Sequence, residues 1–278
     1  MLYNLKTIEY IDSTHVRVYS RPIFSGGDLN KFISDEKHTF LPYERKRTTE
    51  RTPEMVEHSE RVSIGRTVNQ IYSIVRSNVW EYFVTLTIDP KKLDNTDYIM
   101  IVQKLNYWAN NLKKRYASDL KYVFVPELHK DKRKWHFHGL FSNVGNIPFV
   151  FSGKTCVGKF VYDYAKKPFA TKIYNLPLWK YGFSTATRVR DSKKASSYIT
   201  KYLTKDLVKV LPNQNRYFAS LNCGRPVEKV FYIEPENLKE LIEKHFSEIN
   251  YMSNIELKDA TQKIYYMEFN KGESINDR

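Results

Sequence analysis

The chain has 278 residues, enough to bury one sizeable core, or one core with a smaller appendage. Lys and Arg number 45 against 31 Asp and Glu, a formal net charge of +14 that points to a polyanionic partner, nucleic acid first and an anionic membrane surface second. Against the membrane, no apolar run approaches the roughly 20 residues needed to span a bilayer. The N-terminus is polar and lacks the marks of a secretory signal, and Cys156 and Cys223 stand far apart with no CxxC partner. The expectation is a cytoplasmic protein without a membrane partner, whose two cysteines are ordinary buried thiols.

Residues 1–60 are polar and weakly periodic, with a turn at Gly26-Gly27 and a mixed-charge run from Tyr43 to Glu60, and read as an irregular basic N-terminal arm. From Ser63, apolar residues at Ile64, Val68, Ile71, Ile74 and Val75 recur at helical spacing and predict a helix ending near Asn78. Tyr82 to Ile88 is β-branched and aromatic, and Asp89-Pro90 stops it, so a core strand is predicted. An amphipathic helix follows from about Asp97 to Tyr116, with Ile101, Leu105, Trp108 and Leu112 on one face. Tyr122 to His129 and Trp135 to Phe141 are strand-like and joined by a short polar link, which marks a β-hairpin.

Residues 142–180 mix Gly, Pro, Lys and Tyr in irregular order and read as an insertion with some strand character. Phe183 to Arg190 alternates as a strand does. Ser192 is a plausible N-cap for a helix from Lys193 to about Val208. Further strands are predicted at Arg216 to Leu221 and Lys229 to Ile233, then a helix from Pro235 to about Ile249. The order points to α+β with a largely antiparallel sheet. The expected divisions are an arm at 1–60, a main domain at 61–235 and a C-terminal helix and tail at 236–278.

Two segments carry chemistry. His136 and His138 lie two apart on a predicted strand, so both imidazoles project from one face while Phe137 turns to the other. Across the hairpin, Glu127 and His129 share one face of the partner strand, and either can meet the two histidines. Two imidazoles and a carboxylate without cysteine suit a catalytic divalent ion that keeps open coordination positions, such as Mg²⁺ or Mn²⁺, with zinc also compatible. The bland alternative is that Glu127 salt-bridges Lys130 or Lys132.

In the segment Ser197 to Lys205, Tyr198 and Tyr202 are four apart and share a helix face, each followed three residues later by a lysine, Lys201 and Lys205. Two core-packing tyrosines are the plain alternative. A phenol, with a pKa of about 10, is a poor nucleophile until something stabilises the phenolate or takes its proton. A neighbouring ammonium does part of this. A tyrosine attacker differs from water in leaving a phosphotyrosine ester that a 3′ hydroxyl can reverse, so cutting and rejoining need no ATP.

Three ordered motifs, Phe83-Val84-Thr85-Leu86-Thr87, then Glu127-Leu128-His129-Lys130-Asp131 with His136-Phe137-His138-Gly139-Leu140, then Tyr198-Ile199-Thr200-Lys201-Tyr202-Leu203-Thr204-Lys205, resemble those of the HUH-endonuclease superfamily. Within it the likeness is to the rolling-circle replication initiators of bacterial plasmids and bacteriophages, and it spans Ser63 to Pro226, including Arg216 to Ser220. The resemblance implies a ferredoxin-like (RRM-like) antiparallel sheet with helices packed on it. It assigns His136, His138 and Glu127 to the metal and Tyr198 or Tyr202 to nucleophilic attack on single-stranded DNA at an origin, leaving a 5′-phosphotyrosine.

The link between Glu127 and His136 departs from the pattern by carrying Lys132-Arg133 where a glycine turn is usual, and the insertion is not covered. With no Walker-type loop in the sequence, a host helicase and polymerase are expected partners beside the origin strand or hairpin. The rival readings are a conjugative relaxase or transposase of the same superfamily, a metal hydrolase using water, and a non-enzymatic nucleic-acid-binding protein. Lys113, Lys114, Arg115, Lys132, Arg133 and Lys134 are candidate DNA contacts.

Overall fold

A computed structural model of the protein describes residues 1–24, 52–128, 134–191, 199, 214–234, 236–237, 240, 243–244, 249–257 and 262–271. In chain order its elements are β1 (Leu2–Glu9), β2 (Ser13–Phe24), α1 (Pro53–Arg76), β3 (Tyr82–Ile88), α2 (Tyr98–Arg115), β4 (Lys121–Leu128) and β5 (Trp135–Ser142). They continue with β6 (Val150–Val157), β7 (Phe160–Asp163), β8 (Thr171–Asn175), β9 (Gly182–Arg188), β10 (Phe218–Ala219), β11 (Val227–Phe231), β12 (Ile249–Leu257) and β13 (Gln262–Asn270). The fold is α+β: two antiparallel sheets, with two long helices among the described residues.

The chain divides into two compact units. The first, Met1–Pro53 with Pro226–Arg278, holds a sheet in the order β11-β1-β2-β13-β12 around Leu5, Val18 and Met267. Two expectations fail here. The described part of the supposed arm is two paired strands and the start of α1, and the supposed tail is the β12–β13 hairpin. The reason is long range: β1 pairs with β11 and β2 with β13, more than 200 residues apart, and no local period announces such partners. The expected helix before β12 lies largely outside the described residues, although Glu236, Asn237, Glu240, Glu243 and Lys244 are helical.

The second unit, Glu54–Arg225, holds a sheet in the order β10-β4-β5-β3-β9-β8-β6-β7. Its strands alternate, and the two faces bury different clusters. On one face, Val84, Leu86, Phe124, Phe137 and Phe141 pack against Ile101, Leu105, Trp108 and Leu112 of α2. Asp97 caps α2, its carboxylate accepting from the Met100 amide at 3.0 Å, and Lys113, Lys114 and Arg115 complement the helix C-terminus. On the other face, Val123, Val125 and Leu140 meet Ile71, Ile74 and Val75 of α1, and also Ile199.

Helix α1 begins ten residues before Ser63. Pro53 needs no amide partner in a first turn and Glu54 favours the positive helix end, but the first turns are exposed and so lack an apolar stripe. The insertion resolves into β6, β7 and β8, which widen the sheet beyond β9. Of the two thiols expected to be buried, Cys223 is and Cys156 is partly exposed.

Candidate metal centre

Registry places the site. In the β4–β5 hairpin Glu127 lies opposite His136 and Val125 opposite His138; on the other side of β5, Thr87 faces His136 and Thr85 faces His138. All of these side chains leave the sheet on the face that also carries Val123 and Leu140, because alternate residues point the same way. Phe137, between the histidines, is fully buried on the opposite face and anchors the strand.

Three donor atoms converge there. His136 Nε2 is 2.7 Å and His138 Nε2 2.5 Å from the same Glu127 oxygen, Oε2, and the two Nε2 atoms are 3.1 Å apart. The rings are nearly perpendicular, 4.8 Å between centroids. Octahedral ligands held at about 2.1 Å from a small divalent ion are separated by about 3.0 Å at adjacent positions. The observed edges are a few tenths of an ångström tighter in part, so a small outward shift of the carboxylate makes room for an ion. Glu127, His136 and His138 form a group able to hold a metal ion.

Electrostatics agree with a ligand role. Burial raises the Glu127 pKa, but hydrogen bonding to both histidines and their charge outweigh it and hold the carboxyl down to about 2. Burial pushes the His138 pKa below its ordinary value, against the opposing pull of Glu127, which favours the neutral imidazole that a metal requires. The far nitrogen of His138 is also engaged: Nδ1 is 3.0 Å from Thr85 Oγ1. With Nδ1 protonated, Nδ1–H donates to the Thr85 hydroxyl and the Nε2 lone pair is left for the cation. Phe83 stacks on the same ring at 5.6 Å and 23°.

Thr85 and Phe83 are positioning residues that chemical reasoning from the sequence did not single out, although both fall in the first motif. The available signal was parity, since residues 83, 85 and 87 project toward the face that carries the histidines. Among the residues expected at the site, Glu127, His136 and His138 come together. His129, Tyr198, Lys201, Tyr202 and Lys205 lie outside the described residues, as do Lys132 and Arg133. Ile199, the chain neighbour of Tyr198, is helical and fully buried, in the cluster with Val125 and Leu140 on the histidine face.

An antiparallel sheet flanked by helices, with a carboxylate and two imidazoles converging on one face, defines an α+β protein equipped to hold a divalent cation. Residues 81–207 match a family model described as a replication-associated protein of the ORF2 type. No curated protein and no solved structure matched the chain. The family match supports a rolling-circle replication initiator family, and with it DNA as the partner that the net charge of +14 anticipates. Among the described residues no helix is long and apolar enough to cross a membrane.

Proposed function

We propose that the protein is an HUH nickase, which initiates rolling-circle replication by cutting single-stranded DNA at an origin through tyrosine attack and later rejoins the strand. The observation that carries this reading is the convergence of Glu127, His136 and His138 on the sheet face where Ile199 is buried, one residue from Tyr198. A helix continued from Ile199 brings Tyr198 and Tyr202 along with it, and the family match runs through both.

In the proposed step the phenolic oxygen of Tyr198 or Tyr202 bonds to the scissile phosphorus and the bond from phosphorus to the 3′ oxygen breaks. The protein keeps a 5′-phosphotyrosine, and the phenol's proton ends on the released 3′ hydroxyl. Lys201 or Lys205 stabilises the phenolate as it forms. Glu127, His136 and His138 would hold Mg²⁺ or Mn²⁺, which supplies Lewis-acid stabilisation of charge on the phosphate oxygens. Thr85 keeps His138 in the tautomer this role needs. Rejoining is the reverse reaction, with a 3′ hydroxyl as nucleophile, and the second tyrosine allows a second transfer. A host helicase and polymerase open and copy the duplex, in the cytoplasm of a bacterial or phage-infected cell.

The test is a 5′-labelled and a 3′-labelled single-stranded origin oligonucleotide incubated with protein and Mn²⁺. Covalent transfer of the 3′-side fragment to protein, abolished by chelator and in His136→Ala/His138→Ala, is expected. Hydrolysis without a protein adduct would transfer the assignment to a water-activating nuclease, and retention without cutting to a binding protein.

A further inference from the structure

The insertion, absent from the motifs that define the site, has a surface of its own. From Val150 to Asn175 it carries Lys154, Lys159, Lys166, Lys167 and Lys172 against the single acid Asp163, a net charge of +4. All five lysines are exposed. Between them stand aromatic rings that a core would normally have taken: Phe160 is 59% exposed, Phe169 96%, Phe151 39% and Tyr164 38%.

Registry shows how rings and charges are sorted. Thr155 lies opposite both Tyr162 on β7 and Lys172 on β8, and Phe151 lies opposite Tyr174, so these residues share one face. Tyr174 in turn pairs with Ala186 and Ala186 with Val84, which makes this the α2 side of the sheet, opposite the histidines. There the ammonium groups lie over rings: Lys167 Nζ is 4.4 Å from the Tyr162 centroid, Lys172 Nζ 5.4 Å from Tyr164 and 5.6 Å from Phe151, and Lys159 Nζ 5.4 Å from Phe160. The rings also touch one another, Phe151 meeting Tyr164 at 5.3 Å and Tyr174 at 6.1 Å.

The surface is held in place rather than loosely displayed. Thr155 is fully buried, its hydroxyl donating to the Lys167 carbonyl at 3.0 Å, and the Tyr164 amide donates to the Gly153 carbonyl at 2.9 Å, so the 164–170 turn is tied down onto β6. Open ring faces beside unneutralised ammonium groups match a polymer that offers flat π-faces and one negative charge per unit. Single-stranded nucleic acid has this form, whereas a duplex hides its base faces in the stack.

We propose that the β6–β8 extension is a second DNA surface, which grips single-stranded DNA by stacking bases on its exposed rings and pairing phosphates with Lys159, Lys167 and Lys172. It depends on the nickase reading only for the choice of DNA as the polymer. Four strand spacings separate β5 from β6, about 19 Å across the sheet, and the two sites occupy opposite faces. The grip is therefore separable from the chemistry, and holds strand away from the bond that is cut.

The full chain is tested by fluorescence anisotropy with labelled oligothymidylate of about 16 nucleotides, near the upper site size of such surfaces, and with a duplex of equal length. Phe160→Ala/Phe169→Ala, two exposed positions, is expected to weaken single-strand binding about 10-fold or more with little effect on the duplex. Lys159→Ala/Lys167→Ala/Lys172→Ala is expected to reduce the slope of log affinity against log salt by about 2, at about 0.7 per phosphate. Both variants should keep covalent transfer to a short oligonucleotide that spans little more than the cleaved bond. Unchanged affinity in both overturns the proposal, as does equal loss for single strand and duplex, or loss of binding to anionic vesicles alone. Absence of covalent transfer in the unmodified protein, with the affinity losses intact, would sink the nickase reading and leave this surface standing.

Discussion

Thr85 and His138 stand opposite each other on adjacent strands, with Oγ1 3.0 Å from Nδ1. This contact occupies the imidazole nitrogen that Glu127 does not reach, and so aims Nε2 at the carboxylate and at His136. Thr85→Val keeps the shape and removes the hydroxyl. Isothermal titration with Mn²⁺ should show affinity reduced about 10- to 100-fold, the usual cost of losing a partner behind a metal-bound histidine, with little change in Tm. His138→Ala should abolish binding at this site.

Acid should loosen the ion-free protein, and the sign follows from two depressed pKa values. Glu127 falls from 4.5 to about 2 on folding, so its contribution is present above pH 4.5 and lost as pH falls toward 2. His138 is also lowered from its ordinary 6.5, so the unfolded chain binds a proton first and folding loses ground as pH drops below that value. Thermal melts in chelator should therefore show Tm declining on acidification from about pH 7 to 5, and the decline should flatten in His138→Gln. A Tm that rises on acidification would contradict the buried, neutral imidazole.

Gly139 separates His138 from Leu140 on β5, and a Cβ there would overlap the Phe124 ring and lie 2.9 Å from the Val123 carbonyl oxygen. Phe124 is fully buried between Trp108, Tyr122 and Phe141, so it has nowhere to retreat. Gly139→Ala should destabilise the protein by about 1–3 kcal/mol, the ordinary cost of overpacking, measured by urea denaturation. Because the strand that bears the ligands must shift, Mn²⁺ affinity should fall with it. A neutral effect on both would mean that the ring moves freely.

The second unit was largely legible from local pattern. Tyr82 to Ile88 is a strand with the expected bounds, and α2 runs between the expected Asp97 and Tyr116, because each has a clean period and a stop signal: Asp89-Pro90 in one case, an Asp cap in the other. The His-x-His and Glu127 relationship was readable because a hairpin fixes register across a short link. The first unit was not readable, since Leu2–Glu9 and Val227–Phe231 find each other only through the folded chain. The strand at Arg216 to Leu221 shrinks to Phe218–Ala219, as Phe218 and Ala219 alone pair with β4 while Tyr98 donates to the Asn215 carbonyl beside it. Thr85 was missed as a participant because a threonine on a strand reads equally well as plain β-propensity.

Exchange of the two tyrosines separates their roles. Tyr198→Phe and Tyr202→Phe each remove one hydroxyl and keep the ring. If the two act in successive transfers, each single variant should still form an adduct with an origin oligonucleotide, or lose only one of cutting and rejoining. The double variant should fall by at least about 100-fold in adduct formation, as expected when a nucleophile is removed, while Mn²⁺ binding persists.

The most direct measurement is mass spectrometry of the peptide that carries DNA after the full chain has reacted with an origin single strand in Mn²⁺. A nucleotide joined through its 5′ phosphate to Tyr198 or Tyr202 is the predicted result. A linkage to any other residue, or a cleaved strand with a free 5′ phosphate and no modified peptide, would contradict it.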